Sequence, residues 1–226
     1  MEDPVRVPVT PRSASGLRLA PLDCPSCGAA VAADSEDIVY YCTACRNGYR
    51  FEDARSALAP VEVAFVSLPN RQVDLYLPFW LLPARVEIRE RGAAGGGFSG
   101  LLSLFTGGDR AASSSGGEGT FAVPAFAAPL GQVTDLTQRY TRKLPELGER
   151  LGERLTGGCY QPVDAEKLAH YSLIDTEVAK SDTLQKLDYS IEFGAPRLLG
   201  VPFVRQGKSG GVADAYFGVS VSRATG

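Results

Sequence analysis

The stretch that decides the fold of the N-terminal part is CPSCG at residues 24–28, followed by CTAC at residues 42–45. Each pair of cysteines is spaced C-x-x-C, and fourteen residues separate the two pairs. A C-x-x-C segment forms a tight turn that points two sulfurs to the same side, so two such turns can surround one metal ion. Gly28 follows the first pair, where the backbone turns back sharply and glycine does so at little steric cost. After the second pair, Asn47 and Gly48, which also tolerate a tight turn, come only after Arg46. The spacing predicts a structural zinc site with four ligands: Cys24, Cys27, Cys42 and Cys45.

The residues around the cysteine pairs predict a small β structure. Residues 37–41 are typical of a strand that leads into the second pair, and residues 48–52 are typical of the strand that returns from it. This arrangement resembles the zinc ribbon over residues 19–56. We place the ribbon at residues 19–58, after a disordered lead of residues 1–18. Together with its later proline-aromatic strands, the chain looks like uncharacterised bacterial zinc-ribbon proteins, a resemblance that implies no activity.

Three other uses of the cysteines are less favoured. Disulfide bonds would need an oxidising compartment, and because the sequence shows no secretory signal we expect a cytoplasmic protein with reduced thiols. A redox site would use one C-x-x-C pair on a βαβ unit rather than two pairs on a hairpin. A rubredoxin-like iron site would use the same sulfurs, and sequence separates iron from zinc only weakly. A four-thiolate site has no open coordination position, so we expect the metal to fold the ribbon and catalyse nothing.

Length and composition leave room for a second, larger unit. The chain has 226 residues, 44% of them hydrophobic, and residues 61–226 are enough for a core of their own. No apolar stretch approaches the roughly 18 residues that a membrane span needs. We therefore expect residues 61–226 to stay largely folded when the metal site is disrupted.

The pattern of residues 61–226 predicts an α+β domain with a mixed, mainly antiparallel sheet and two or three helices. Apolar residues recur every three or four positions from Leu130 to Leu155, which is typical of one helix face, and Pro145 should kink or divide this helix. A further short helix is expected at residues 164–174. Strands are expected at residues 61–68, 73–77, 84–89, 188–193, 197–204 and 213–222.

Proline stands shortly before an aromatic residue in three strand-like stretches, at Pro78, Pro124 and Pro202. Because proline cannot donate to a sheet ladder, each should mark a bulge, a bend or an edge. Such bends could gather aromatic rings around a ligand cleft, but we favour the interpretation that these rings are core residues at strand kinks. The rings concerned are Phe79, Trp80, Phe126 and Phe203.

Residues 92–119 are rich in glycine and serine, a composition that predicts a flexible loop outside the sheet. An apolar run interrupts this loop at residues 98–105. Large apolar groups are costly to leave in water. We therefore expect the run either to contact a protein partner or a membrane surface, or to fold back on the domain. Its large apolar residues are Phe98, Leu101, Leu102, Leu104 and Phe105.

Charge argues against nucleic acid as the partner. The formal net charge is −3, and residues 17–60 carry four arginines against six acidic residues. A phosphate-binding surface needs a cluster of basic residues on one face. Tyrosines of the ribbon could stack on bases, but we expect them to form its small core.

The sequence offers little for catalysis. His170 is the only histidine, and Cys159 is the only cysteine outside the two pairs. The two could form a nucleophile–base pair, but an ordinary half-buried cysteine and a helix-surface histidine are far more common. The leading interpretation is a non-enzymatic adaptor or assembly subunit that docks on partner proteins. The alternative is a nucleic-acid-associated zinc-ribbon protein of transcription or replication.

Overall fold

The computed structural model describes residues 22–52, 57–68, 73–93, 116–148, 154–178, 184–207 and 211–222. The predicted lead at residues 1–18 and the apolar run at residues 98–105 lie outside this description. The described residues form a broadly α+β structure, mostly antiparallel sheet, with two helices, α1 (Leu130–Arg142) and α2 (Pro162–Val178). The strands are β1 (Val39–Tyr41), β2 (Gly48–Glu52), β3 (Ala57–Val61), β4 (Val63–Val66), β5 (Leu75–Ala93), β6 (Gly116–Pro124), β7 (Leu147–Gly148), β8 (Leu184–Phe193), β9 (Arg197–Gln206), β10 (Gly211–Asp214) and β11 (Ser220–Val221).

The strands belong to two sheets. The small sheet has the order β1-β2-β3 and, with the two C-x-x-C turns before it and within it, forms the cysteine module (residues 22–52 and 57–61). The other eight strands form the large sheet of what we call the β domain. A single residue, Glu62, separates β3 from β4, so the chain passes directly from one sheet into the other.

β5 is one strand of 19 residues, although the sequence predicts two separate strands, one before Pro78 and one after it. The carbonyl of Pro78 accepts the Ala125 amide at 2.9 Å, just where β6 has ended. The carbonyl of Pro83 accepts the Gly194 amide at 2.7 Å, in the corner between β8 and β9. The N and O atoms of a strand residue point to the same edge of the strand. The N–H that each proline lacks would therefore point to a place where the neighbouring strand has already ended and no ladder hydrogen bond is lost. The strand therefore continues through both prolines.

β5 is the centre of the large sheet. One of its edges pairs with β6, and the other pairs with β9 and then with β8, which together behave as one bent strand antiparallel to β5. The far edge of β9 carries β4 in parallel orientation and β10 in antiparallel orientation. The sheet is therefore mixed, as the sequence predicts.

The large sheet separates two hydrophobic cores. The first contains Trp80 and is covered by α2 and by β1 of the cysteine module. The second lies on the opposite face, where Phe79, Phe126 and Phe203 pack with α1. The four aromatic rings discussed above are at most 1% exposed. They are core residues, as favoured, and they do not gather around one cleft because neighbouring strand residues point to opposite faces.

The helix predicted over residues 130–155 is correct only in its first half. α1 ends at Arg142, since the residue before a proline is disfavoured in helical conformation and Pro145 follows closely. Beyond it, β7 pairs with β4, and Leu155 forms an isolated bridge with Tyr76. Of the apolar residues that continue the period after residue 143, Leu147 and Leu155 therefore pair with the large sheet and do not belong to one helix face.

Three other boundaries differ from the sequence-based expectation. α2 has 17 residues and extends beyond residues 164–174 at both ends. The strand predicted at residues 213–222 is two strands, β10 and β11, around a turn at residues 215–217. Residues 92–93 and 116–119 of the predicted loop belong to strands instead, because β5 reaches Ala93 and β6 begins at Gly116. Neither helix in the described part of the chain combines the length and the apolarity that crossing a bilayer requires.

Candidate metal centre

The four predicted cysteines lie together in the cysteine module. Their sulfur atoms are all within 4.8 Å of one another. The Sγ atoms of Cys24 and Cys45 are 3.5 Å apart, and those of Cys27 and Cys42 are 3.6 Å apart, so each close pair joins the two turns. Four sulfurs at the usual distance from one metal ion stand about 3.8 Å from one another. The cluster is therefore already arranged around a single metal position.

The two C-x-x-C turns have the same backbone. The Gly28 amide donates to the Cys24 carbonyl at 2.9 Å, and the Arg46 amide donates to the Cys42 carbonyl at 2.7 Å. The residue that closes each turn has a positive φ, 71° at Gly28 and 61° at Arg46. The second turn therefore closes at Arg46 itself and not at the more tolerant residues that follow it. Because both turns have to aim two sulfurs at one point, Arg46 adopts the conformation that glycine adopts in the first turn.

Replacing Arg46 by glycine should raise the free energy of unfolding by about 1 kcal/mol, because glycine adopts the left-handed conformation without the steric cost of a Cβ. Gly28→Ala is the matched change in the first turn, and it should lower the stability by a similar amount. A Cβ at Gly28 meets no atom within 4 Å, so only backbone strain changes there. Urea unfolding of the metal-bound protein measures both. A less stable Arg46→Gly variant would show that side-chain contacts of Arg46 outweigh the strain.

Tyr49 of β2 is the polar side chain next to the cluster that the spacing of the cysteines does not reveal. Its hydroxyl lies 3.3 Å from Cys24 Sγ and donates to Ser26 Oγ at 2.6 Å. The side chain is buried, and this burial raises the pKa of Tyr49, so the hydroxyl keeps its proton. Tyr49 therefore links β2 to the first C-x-x-C turn and restricts the orientation of one candidate ligand.

The thiols of the cluster differ in how easily they ionise. Burial acts to raise the pKa of Cys24, but the neighbouring Tyr49 hydroxyl and the amides of Ser26 and Cys27 outweigh it and lower the pKa to about 6. At Cys27 the Ala29 amide acts to lower the pKa, but burial and the neighbouring thiols raise it to about 12. One thiolate therefore forms readily and opposes the next, so a cation is needed to balance four of them. The donor set fits a metal ion that prefers sulfur.

The apolar side of β1 attaches the cysteine module to the β domain. Val39 and Tyr41 are buried and belong to the same core as Trp80. The ring of Tyr41 packs edge-on against Phe65 of β4, with a centroid distance of 5.2 Å. Gly158 lies so close that a Cβ there would come within 2.7 Å of the Val39 side chain. The module and the β domain therefore share a core, and residue 158 has to be small.

Polar contacts surround this shared core. The Asp37 carboxylate accepts the Gly157 amide at 2.8 Å, and the Ile38 amide donates to the Gly158 carbonyl at 2.7 Å. Asp37 is only 6% exposed, and this burial raises its pKa. The sequence does not single out Asp37, because the partner that joins it to the β domain is 120 residues away along the chain. Its role in holding the module against the β domain becomes visible only in the fold.

Cys159 and His170 have separate surroundings. Cys159 is a free, half-buried thiol whose amide donates to the Ala125 carbonyl, and burial raises the pKa of its side chain. His170 Nδ1 lies 3.0 Å from the Tyr189 hydroxyl, and its ring packs edge-on against Phe193. Burial lowers the pKa of His170. No hydrogen bond of the described residues joins the two side chains, and His170 is held by the sheet instead.

No protein-family model, curated protein or solved structure matches the chain.

Proposed function

We propose that the cysteine module is a zinc ribbon and that the protein is a non-enzymatic, cytoplasmic adaptor or assembly subunit that docks on a partner protein. Zinc held by four thiolates has no open coordination position, so the ion would hold the two turns together without taking part in a reaction. All five cysteines are free thiols in the structure, which suits a reducing compartment. The metal would be structural, and the function would lie in the surface that it stabilises.

The observation that carries the proposal is the exposed tip of the two C-x-x-C turns. This knuckle tip consists of Pro25, Ser26, Thr43 and Ala44, all exposed and none of them charged. Backbone hydrogen bonds close both turns, whereas β1 of the same module is buried against the β domain. A small, rigid and uncharged surface loses little conformational entropy on binding, which favours contact with another protein.

Two further observations favour a protein over a nucleic acid as the partner. Tyr41 and Tyr49, which could otherwise stack on bases, are each only 3% exposed. The guanidinium of Arg50 lies 3.5 Å from the carboxylate of Glu52, so its charge is partly balanced within β2. The ribbon therefore offers neither a stacking platform at these two tyrosines nor an excess of positive charge.

Site-specific photo-crosslinking tests the proposal. A benzophenone amino acid at Thr43 of the full-length chain, activated in the native cells, should form an adduct with one recurring protein. The same amino acid at the exposed position Arg142, on α1 beyond the opposite face of the large sheet, is the matched control and should not form that adduct. Adding Ala44→Arg to the Thr43 probe should abolish the adduct, because a charge then stands in the knuckle tip.

Two outcomes would contradict the adaptor proposal. Equal adducts at positions 43 and 142 would mean that the knuckle tip is not a specific contact. Sub-micromolar binding of DNA or RNA with a steep salt dependence would favour the nucleic-acid alternative, whereas we expect binding weaker than about 100 μM.

The apolar run at residues 98–105 is proposed as a second contact. A chain lacking residues 95–115, which keeps β5 and β6 whole, tests it by loss of the same adduct.

A further inference from the structure

The four cysteines of the cluster differ in their exposure to solvent. Cys24 and Cys42 are buried, with exposed fractions of 3% and 1%. Cys45 is half-buried, and Cys27 is exposed. A small molecule in solution therefore reaches Cys27 more easily than it reaches any of the other three candidate ligands.

The fold of the cysteine module explains this difference. Cys24 lies at the base of the first C-x-x-C turn, where its amide donates to the Ala29 carbonyl at 2.8 Å. Cys24 and Cys42 both belong to the small core of the module, which also contains Tyr49. Cys27 follows three positions after Cys24 and is exposed. It therefore stands on the solvent side of the cluster.

The exposed thiol also has a second sulfur close to it. Cys27 Sγ lies 3.6 Å from Cys42 Sγ, which belongs to the other turn. Cys24 Sγ contacts Cys45 Sγ at 3.5 Å and the Tyr49 hydroxyl at 3.3 Å instead. An accessible thiolate beside a second thiol is the arrangement that reversible oxidation requires. Cys42 is therefore in position to react with an oxidised Cys27.

We propose that Cys27 is an oxidation site, at which a peroxide converts Cys27 and Cys42 into a disulfide and so releases the metal. This inference rests on the proposed function, because it takes the cluster to hold zinc. It adds a regulation to that function. In a reducing compartment such a disulfide is transient, and transient disulfides of this kind serve sensing rather than structure.

The reaction moves two electrons from the two sulfurs to one peroxide. The Cys27 sulfur, which is deprotonated as a metal ligand, attacks one oxygen of hydrogen peroxide. An S–O bond forms, the O–O bond breaks, and the products are a sulfenic acid at Cys27 and a hydroxide ion. The Cys42 thiolate then attacks the sulfur of the sulfenic acid, so that an S–S bond forms, the S–O bond breaks and a second hydroxide ion leaves. Both hydroxide ions take up protons from solvent and become water.

The disulfide changes the surface that is proposed to dock on a partner. After the reaction only Cys24 and Cys45 remain as donors, which is too few for a structural zinc site. The knuckle tip consists of the residues between the two cysteines of each pair, so it loses the ion that holds it in place. Oxidation at Cys27 therefore acts directly on the docking surface.

Peroxide treatment of the zinc-loaded, full-length protein tests the proposal. A colorimetric chelator should detect the release of one zinc per chain, and peptide mass spectrometry after limiting peroxide should find Cys27 joined to Cys42. A thiol reductant with added zinc should reverse both changes. Cys27→His keeps a zinc ligand but removes the oxidisable sulfur, so zinc release should slow roughly tenfold. Cys45→His is the matched control, because it makes the same exchange at a half-buried ligand, and it should release zinc at the natural rate.

Three results would overturn the proposal while leaving the zinc ribbon intact. The first is zinc that the natural protein retains under peroxide. The second is a first disulfide that does not join Cys27 to Cys42, a readout that needs no variant. The third is equal rates of zinc release from Cys27→His and Cys45→His. Reduced protein that binds no zinc would instead contradict the zinc ribbon itself, and this inference with it.

Discussion

Replacing Cys42 by serine should lower the free energy of unfolding of the whole chain by more than about 4 kcal/mol, because a structural metal site that loses a buried ligand no longer holds its module. From the sequence, residues 61–226 would be expected to stay folded in such a variant. The structure changes this expectation, since Val39 and Tyr41 lie in the same core as Trp80. Unfolding of the module uncovers that core, so the β domain should lose stability with it.

The single tryptophan of the chain makes this coupling measurable. Trp80 is fully buried in the β domain, where its indole N–H donates to the Tyr160 carbonyl at 2.7 Å. Its fluorescence therefore reports on unfolding of the β domain, including the core that this domain shares with the cysteine module. In Cys42→Ser the Trp80 transition should move to lower denaturant concentration, together with the loss of one zinc per chain. Cys159→Ser, at a free cysteine outside the cluster, is the control and should retain the zinc. Loss of zinc with an unchanged Trp80 transition would show that the two parts fold independently.

The candidate metal site could be predicted from the sequence because its information is local. Two cysteines three positions apart define one turn, and a second such pair completes the set of donors. The surface that holds this site against the β domain could not be predicted. The contact of Asp37 with Gly157 joins residues 120 positions apart, and neither residue carries a local pattern that announces it.

The two largest errors in the secondary structure have one cause, which is that local rules do not include neighbouring strands. Pro78 would end an isolated strand, but in β5 its missing donor lies where β6 has already ended. Leu147 and Leu155 continue the period of α1, yet each pairs with a strand of the large sheet after Pro145 has stopped the helix. Leu155 is buried but Leu147 is 39% exposed, so apolar residues at helical spacing do not have to form one buried helix face.

The second large effect concerns Asp214, which the sequence does not single out. Asp214 is 1% exposed. None of the hydrogen-bond partners of its carboxylate in the described structure is a cation. Instead it accepts the Tyr140 hydroxyl at 2.8 Å and, in the turn after β10, three backbone amides at 2.6 to 3.1 Å: those of Tyr216, Phe217 and Val219. Asp214 thus fixes the turn between β10 and β11 and connects it to α1 under the second core.

Asp214→Ala should lower the free energy of unfolding by about 3–5 kcal/mol, because one buried and three half-buried donors lose their acceptor at once. Tyr140→Phe removes one of these donors and should cost about 1–2 kcal/mol. Asp74→Ala is the control and should cost less than about 1 kcal/mol, since Asp74 is exposed and its carboxylate accepts one backbone amide of the described residues, that of Arg205. Urea unfolding followed by Trp80 fluorescence measures all three. Equal effects of Asp214→Ala and Asp74→Ala would contradict the role assigned to the buried carboxylate.

The hydrogen bond between Tyr140 and Asp214 also predicts a pH dependence. Burial, followed by the charge of Asp214, raises the pKa of Tyr140 above its ordinary value of 10.0. The folded protein therefore holds this proton more tightly than the unfolded chain does. The stability that depends on it is complete below pH 10 and decreases as the pH rises further. Tyr140→Phe has no such proton, so the natural protein should lose stability more steeply above pH 10 than the variant does. Other tyrosines contribute equally to both proteins, and parallel stability curves would therefore mean that Tyr140 ionises as readily in the folded protein as in the unfolded chain.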